Sequence, residues 1–322
     1  MLSVAILAAA IALPGGPPVG MDYLAYDATN GRVWVPAGNT GNVDVVDVAT
    51  GKVTTLGGFA TKPSPRPGRP NMGPSSATVG DGTVWVGNRG DDRVCGFDAR
   101  SLQRGPCVGL ASMPDGLAWV APTRELWATT PRNHTLTVLA VKGGRSTSVE
   151  TAATIPLEGS PEGYAVDAPR GIFYTNLEDK DLTLALDVKT RKVTATFAPG
   201  CGAEGPRGLA LDGARRLLFV ACTTGAVTLD LAHGAKVVGR ITTGGGVDNI
   251  DYHPGKHLLY VASAKDGTLT FVRVGAAGEL AAAATAPTAK GARNPVVDAR
   301  GVAYVADAAA GRLIVVEPPV VR

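Results

Sequence analysis

Seven times along the chain, a short apolar strand that begins on a polar residue is followed by a polar turn and a second strand. The first halves read DYLAYD (22–27), SSATVG (75–80), DGLAWV (115–120), EGYAVD (162–167), RGLALD (207–212), DNIDYH (248–253) and RNPVVD (293–298). The second halves are RVWVPA (32–37), TVWVGN (83–88), ELWATT (125–130), IFYTN (172–176), LLFVAC (217–222), LLYVAS (258–263) and VAYVAD (302–307). The units recur at roughly 40 to 50 residues, the period of propeller blades rather than of helical solenoids. A third strand follows in each unit, such as NVDVVDV (42–48) or LTLALDV (182–188), then a turn and a fourth, such as KVTTL (52–56) or KVTATF (192–197). Alternating β-branched and polar residues broken by Gly, Asp, Asn and Pro are strand chemistry, and no stretch holds a 3.6-residue apolar period over helix length. The prediction is an all-β chain, a seven-bladed β-propeller of four-stranded antiparallel blades. The 42 glycines and 23 prolines supply the turns that so many short strands need.

The seventh unit stops after RLIVVE (312–317), one strand short. A closed ring avoids the exposed edge by taking its outer strand from the other terminus. Residues 8–13 are placed to supply it, so 8–322 is expected to be a single propeller domain and 1–7 a disordered or signal-derived remnant. The competing reading is a secretory signal: MLSVAILAAAIA has the apolar core, and Ala10-Ile11-Ala12 fits a cleavage site. A charged n-region is missing, however, and cutting after Ala12 would delete the closing strand. One segment breaks the repeat. TKPSPRPGRPNMGPSS (61–76), with five prolines and with Lys62, Arg66 and Arg69, reads as a surface insertion loop. It is either a spacer or a basic flap over the tunnel.

The ends of the second strands carry a signature. YVAS (260–263), YVAD (304–307), WVGN (85–88) and FYTN (173–176) resemble the YVTN repeat, and DVATGKV (47–53) and DVKTRKV (187–193) resemble that family's turn between third and fourth strands. The resemblance spans about Pro14 to Glu317. It implies a seven-bladed propeller of a commonly exported, periplasmic or surface type, and no catalytic residue set. Glu204-Gly205-Pro206 and Met113-Pro114-Asp115-Gly116 are similar to loops of gluconolactonase-like propellers, which have six blades and a metal held by Glu, Asn and Asp. Virginiamycin B lyase is similar in blade number but relies on a His and a Glu near a metal. Here His134 precedes a third strand, His233 lies in a turn, and His253 and His257 flank another.

Strand direction locates a site. In an up-down-up-down blade, the start of the first strand and the end of the second share one face, and the first strands line the axis. The leading residues Asp22, Ser75, Asp115, Glu162, Arg207, Asp248 and Arg293 are therefore expected to ring one tunnel mouth. Second-strand ends such as Asn88, Asn176 and Asp307 stand beside them, with Asn249 next to Asp248 and Glu204 just ahead of Arg207. Carboxylates gathered there would hold a hard cation such as calcium, or raise one another's pKa toward acid–base work. Glu162 and Asp248 are the first metal candidates. The arginines would meet an anion or balance charge. Equally, Asp, Ser and Asn are ordinary turn residues ahead of a strand.

Four cysteines point to an oxidising compartment, periplasmic or secreted. Cys95 and Cys107 face each other across neighbouring strands of the second unit, and Cys201 and Cys222 lie on one face of the fifth. Both pairings have plausible reach, with free thiols as the alternative. Trp34, Trp85, Trp119 and Trp127 are expected to pack between blades. A net charge of +3 gives no electrostatic basis for nucleic-acid binding, and no apolar run is long enough for a membrane helix. The expected protein is an exported, monomeric propeller scaffold that binds a small molecule or protein partner at the tunnel mouth. A metal-dependent, lactonase-like hydrolase or lyase using the acidic ring is the alternative.

Overall fold

A computed structural model describes residues 8–143 and 148–319. They form seven four-stranded antiparallel sheets arranged as the blades of a ring. The inner strands run at Ala25–Asp27, Pro74–Gly80, Leu117–Val120, Pro161–Asp167, Pro206–Asp212, Ile250–His253 and Arg293–Val297. The anticipated ring closure is present. Ala8–Ala12 lies antiparallel to Arg312–Val316 as the outer strand of blade seven, with Ala8 opposite Val316 and Ala12 opposite Arg312. Leu13 N–H then bonds the Gly311 carbonyl at 2.9 Å, carrying the chain toward blade one. The remnant expected at 1–7 lies outside the described residues.

Turn chemistry explains the blade edges. Asp47 Oδ1 accepts from the N–H groups of Ala49 and Thr50, at 3.1 and 2.9 Å, and Gly51 follows with φ 69°. Asp187 does the same for Lys189 and Thr190, at 3.1 and 2.7 Å, although Arg191 occupies the left-handed position with φ 58°. The Asp at the third-strand end thus nucleates the turn, and Gly is the less strained choice at its close.

The core sits between blades. Midway along each inner strand a small residue lies opposite an aromatic on the second strand: Ala25 and Trp34, Thr78 and Trp85, Ala118 and Trp127, Ala165 and Tyr174, Ala210 and Phe219, Val296 and Tyr304. Blade six alone places a carboxylate there, Asp251 opposite Tyr260. Trp34, Trp85 and Trp127 are fully buried as anticipated. Trp119, on the inner strand of blade three, also packs between blades, its ring lying against Gly80 of blade two, and it lines the tunnel as well.

Both disulfides form as paired by position. Cys95 and Cys107 are register partners on adjacent strands of blade two, and Cys201 reaches from the connection into blade five to Cys222. The insertion is shorter than its composition indicates, since the inner strand of blade two begins at Pro74. It is tied down by a Lys62–Met72 bridge and a 2.8 Å Lys62–Asp92 ion pair, leaving Arg66 and Arg69 exposed. No helix among the described residues is long and apolar enough to cross a membrane.

Candidate functional site at the tunnel mouth

The register pairs Glu162 with Asn176 and Pro74 with Asn88, so inner-strand starts and second-strand ends do share a face. One side chain reaches across the tunnel mouth on that face. Tyr23 of blade one donates its phenol to Glu162 Oε1 of blade four at 2.6 Å, and Gly163 N–H donates to the Tyr23 oxygen at 3.1 Å. Blades one and four stand on opposite sides of a seven-membered ring, so this contact bridges the axis. The Tyr23 ring also stacks on Tyr164, with centroids 5.7 Å apart. Its backbone is fixed by exchange with blade two: Tyr23 N–H to the Ser75 carbonyl and Ala77 N–H to the Tyr23 carbonyl, both 3.0 Å.

Charged groups surround this bridge. Arg89 donates to Asp22 Oδ2 at 2.8 Å and also pairs with Asp115, joining blades one and three. Asn294 Nδ2 donates to Asp22 Oδ1 at 3.1 Å, and Arg293 pairs with Asp248 at 3.1 Å. Asn294 Oδ1 accepts from Asn249 N–H at 3.1 Å, while the buried Asn249 Nδ2 has no protein partner. Arg207 pairs with Glu178 and caps the Glu204 carbonyl at 3.1 Å.

Not every expected residue joins them. The Glu204 side chain points to solvent on the rim. Asn176 is buried beneath the mouth, donating to the Arg207 carbonyl and accepting from Thr183 Oγ1 at 2.6 Å, which is a structural duty. Asp307 is likewise buried and holds Arg312 Nε at 2.8 Å. Among the described residues no three His, Cys, Asp or Glu are grouped to hold a metal ion. The two cation candidates are engaged elsewhere, Glu162 by Tyr23 and Asp248 by Arg293. Three of the four histidines are engaged away from the mouth, His253 with Ala299, His257 with Tyr252 and His233 with Asp230, while His134 closes the turn after Thr130 with its N–H on the Pro131 carbonyl.

Electrostatics single out Glu162. Burial, then the negative charges of Asp248 and Asp22, push its carboxyl up to about 8, against the opposing Tyr23 hydrogen bond. Burial and Asp22 also raise Asp248, while Arg293 and Arg207 pull it down. Burial and then Glu162 raise the Tyr23 phenol well above its ordinary value. At neutral pH, therefore, Glu162 keeps a proton to donate while one oxygen accepts from Tyr23.

Tyr23 and Arg89 are the partners that sequence reasoning missed. The position after each leading residue is Tyr23, Ser76, Gly116, Gly163, Gly208, Asn249 and Asn294. At the glycine positions there is no room for a side chain: a Cβ on Gly163 would lie 2.5 Å from the Arg207 carbonyl oxygen, and one on Gly208 2.5 Å from Asn249 Oδ1. One aromatic residue among three glycines, a serine and two asparagines was the available signal. Arg89 lies one residue past its strand, which ends at Asn88.

No protein-family model and no curated protein matches the chain by sequence. Solved structures do match it by shape. A chain of the mitotic checkpoint complex superposes with TM-score 0.77 at 14% identity, covering 96% of this chain and 91% of that one. Hydrazine synthase of Kuenenia stuttgartiensis gives TM-score 0.75 at 13% identity, covering 96% and 98%. Virginiamycin B lyase from Staphylococcus aureus gives 0.74 at 11% identity, covering 98% and 100%. Identities this low establish the seven-bladed propeller fold and nothing about activity.

Proposed function

We propose that this protein is an exported, monomeric propeller scaffold of the YVTN-repeat type that binds a small ligand or protein partner at the charged tunnel mouth. The observation that carries this reading is the bridge of Tyr23 and Glu162 across the axis, set among Asp22, Asp248, Arg89 and Arg293. Such a concentration of half-buried donors and acceptors exceeds what turn formation requires, and recognition sites are built this way. A cavity of about 340 Å³ lies directly behind it, lined by Asp22, Tyr23, Asn249 and Asn294 among others. Export is supported by the two disulfides, which belong to an oxidising, non-cytoplasmic compartment. The test is a metabolite screen by thermal shift on the wild type and on Glu162→Ala/Asp248→Asn. Ligands that stabilise the first and not the folded second support the site. Shifts unchanged in the double variant refute it.

A second reading has its own support. A carboxyl held near neutrality by burial and like charges is suited to general acid catalysis. On that reading Glu162 protonates a leaving group in a hydrolase or lyase reaction. Turnover of lactones or esters that disappears in Glu162→Gln is the expected result, and no turnover across the panel removes the reading.

A further inference from the structure

Below the mouth the tunnel opens into a second cavity of about 310 Å³, which shares Tyr164, Leu209 and Asp251 with the cavity behind the mouth but none of the charged ring. Its lining mixes aliphatic side chains and Thr78 with the rings of Trp119, Tyr164 and Tyr252, and Asp251 is its one carboxylate. At that level the other six blades carry Ala25, Thr78, Ala118, Ala165, Ala210 and Val296. The fold therefore needs only a small side chain here. A carboxylate at the same place is unfavourable to bury unless something neutralises it.

Among the described residues nothing does so fully. Asp251 Oδ1 accepts from Tyr252 N–H and Oδ2 from Val297 N–H, both at 2.8 Å. Each oxygen keeps a free lone pair, and both donors are uncharged. Burial pushes the carboxyl up to about 6, and the one side-chain charge that acts to lower it is His253. His253 spends its Nε2 on the Ala299 carbonyl at 3.0 Å. At neutral pH the tunnel wall thus carries an ionised group with no ion-pair partner among the described residues, beside the rings of Trp119 and Tyr164.

We propose that the lower tunnel is a second binding site, taking a small organic cation whose ammonium group meets Asp251 while its apolar body lies against Trp119 and Tyr164. The cation restores the neutrality that the other six blades keep by composition. This site does not depend on the reading of the mouth, because neither its lining nor its ligand chemistry uses Glu162, Asp248 or the arginines.

The probes are phenethylamine, a cation at neutral pH, and phenethyl alcohol, its uncharged counterpart, each titrated at up to millimolar concentration. Tryptophan fluorescence and ligand-observed NMR report binding. The amine is expected to bind at least about tenfold more tightly than the alcohol. Asp251→Ala, which installs the residue found in four other blades, is expected to lose that preference while remaining folded. Should Asp251→Ala not fold, Trp119→Leu serves instead and is expected to weaken the amine about tenfold. Equal binding of amine and alcohol overturns the proposal. So does an undiminished amine affinity in the folded variant, or no binding of the amine to the wild type.

Discussion

Replacing Glu162 by Gln should abolish a loss of stability that the wild type suffers as pH rises. Gln keeps a carbonyl oxygen for the Tyr23 phenol, but it cannot ionise beside Asp22 and Asp248. In the wild type the carboxyl moves from 4.5 in the unfolded chain to about 8 in the folded one. Between those values the folded state binds the extra proton, so stability is fully present below 4.5 and falls toward 8. Each pKa unit corresponds to about 1.4 kcal/mol, which sets a ceiling of about 5 kcal/mol. Tunnel solvent reaches this half-buried group and Asp248 shares the titration, which brings the expected change to roughly 2–3 kcal/mol. For a chain of 322 residues that is about 4 °C in melting temperature. The assay is thermal and urea unfolding of both proteins at half-unit steps of pH, read as the difference between them. The expected difference favours the variant increasingly as pH rises through the window. Parallel curves, or a wild type that gains on the variant with rising pH, would refute the account of the mouth.

Removing residues 8–12 should expose an edge on Arg312–Val316 and unlatch the ring; lowered cooperativity in urea unfolding and concentration-dependent association by light scattering are expected. An unchanged transition would deny the strand its closing role. Opening the Cys95–Cys107 bridge with a Cys107→Ser, Cys95→Ser pair should destabilise by about 3 kcal/mol for so short a loop, checked by denaturant midpoint with and without reductant. Arg89→Met should cost about 3 kcal/mol, since Asp22 and Asp115 both lose their cation; chemical denaturation should show it, and a midpoint unchanged from the wild type would deny Arg89 that role.

The propeller was legible because its evidence is repeated seven times, so that an irregular unit such as the one beginning at Ser75 is corrected by its neighbours. The closing strand was legible for a related reason: a missing strand at one terminus called for a spare one at the other. Addresses in the mouth followed from strand direction alone, which brought Asp22, Asp115, Asp248 and Arg293 to one place. Partnerships did not follow. Tyr23 and Glu162 are 139 residues apart, and only the closed ring sets them face to face. Asn176 and Asp307 have the right addresses yet turn their side chains to backbone and to Arg312, because rotamer choice is decided by burial rather than by position. Asp251 was hidden inside a strand that read as uniform wall, where which side chains reach the tunnel depends on the pleat.

The central claim is that ligands engage the charged mouth. A crystallographic fragment screen tests it most directly. Bound fragments are expected to cluster at the bridge, in contact with Glu162, Tyr23, Asp248 or Arg293. Fragments found only on the outer faces of the blades, with the mouth passed over in every hit, would contradict it.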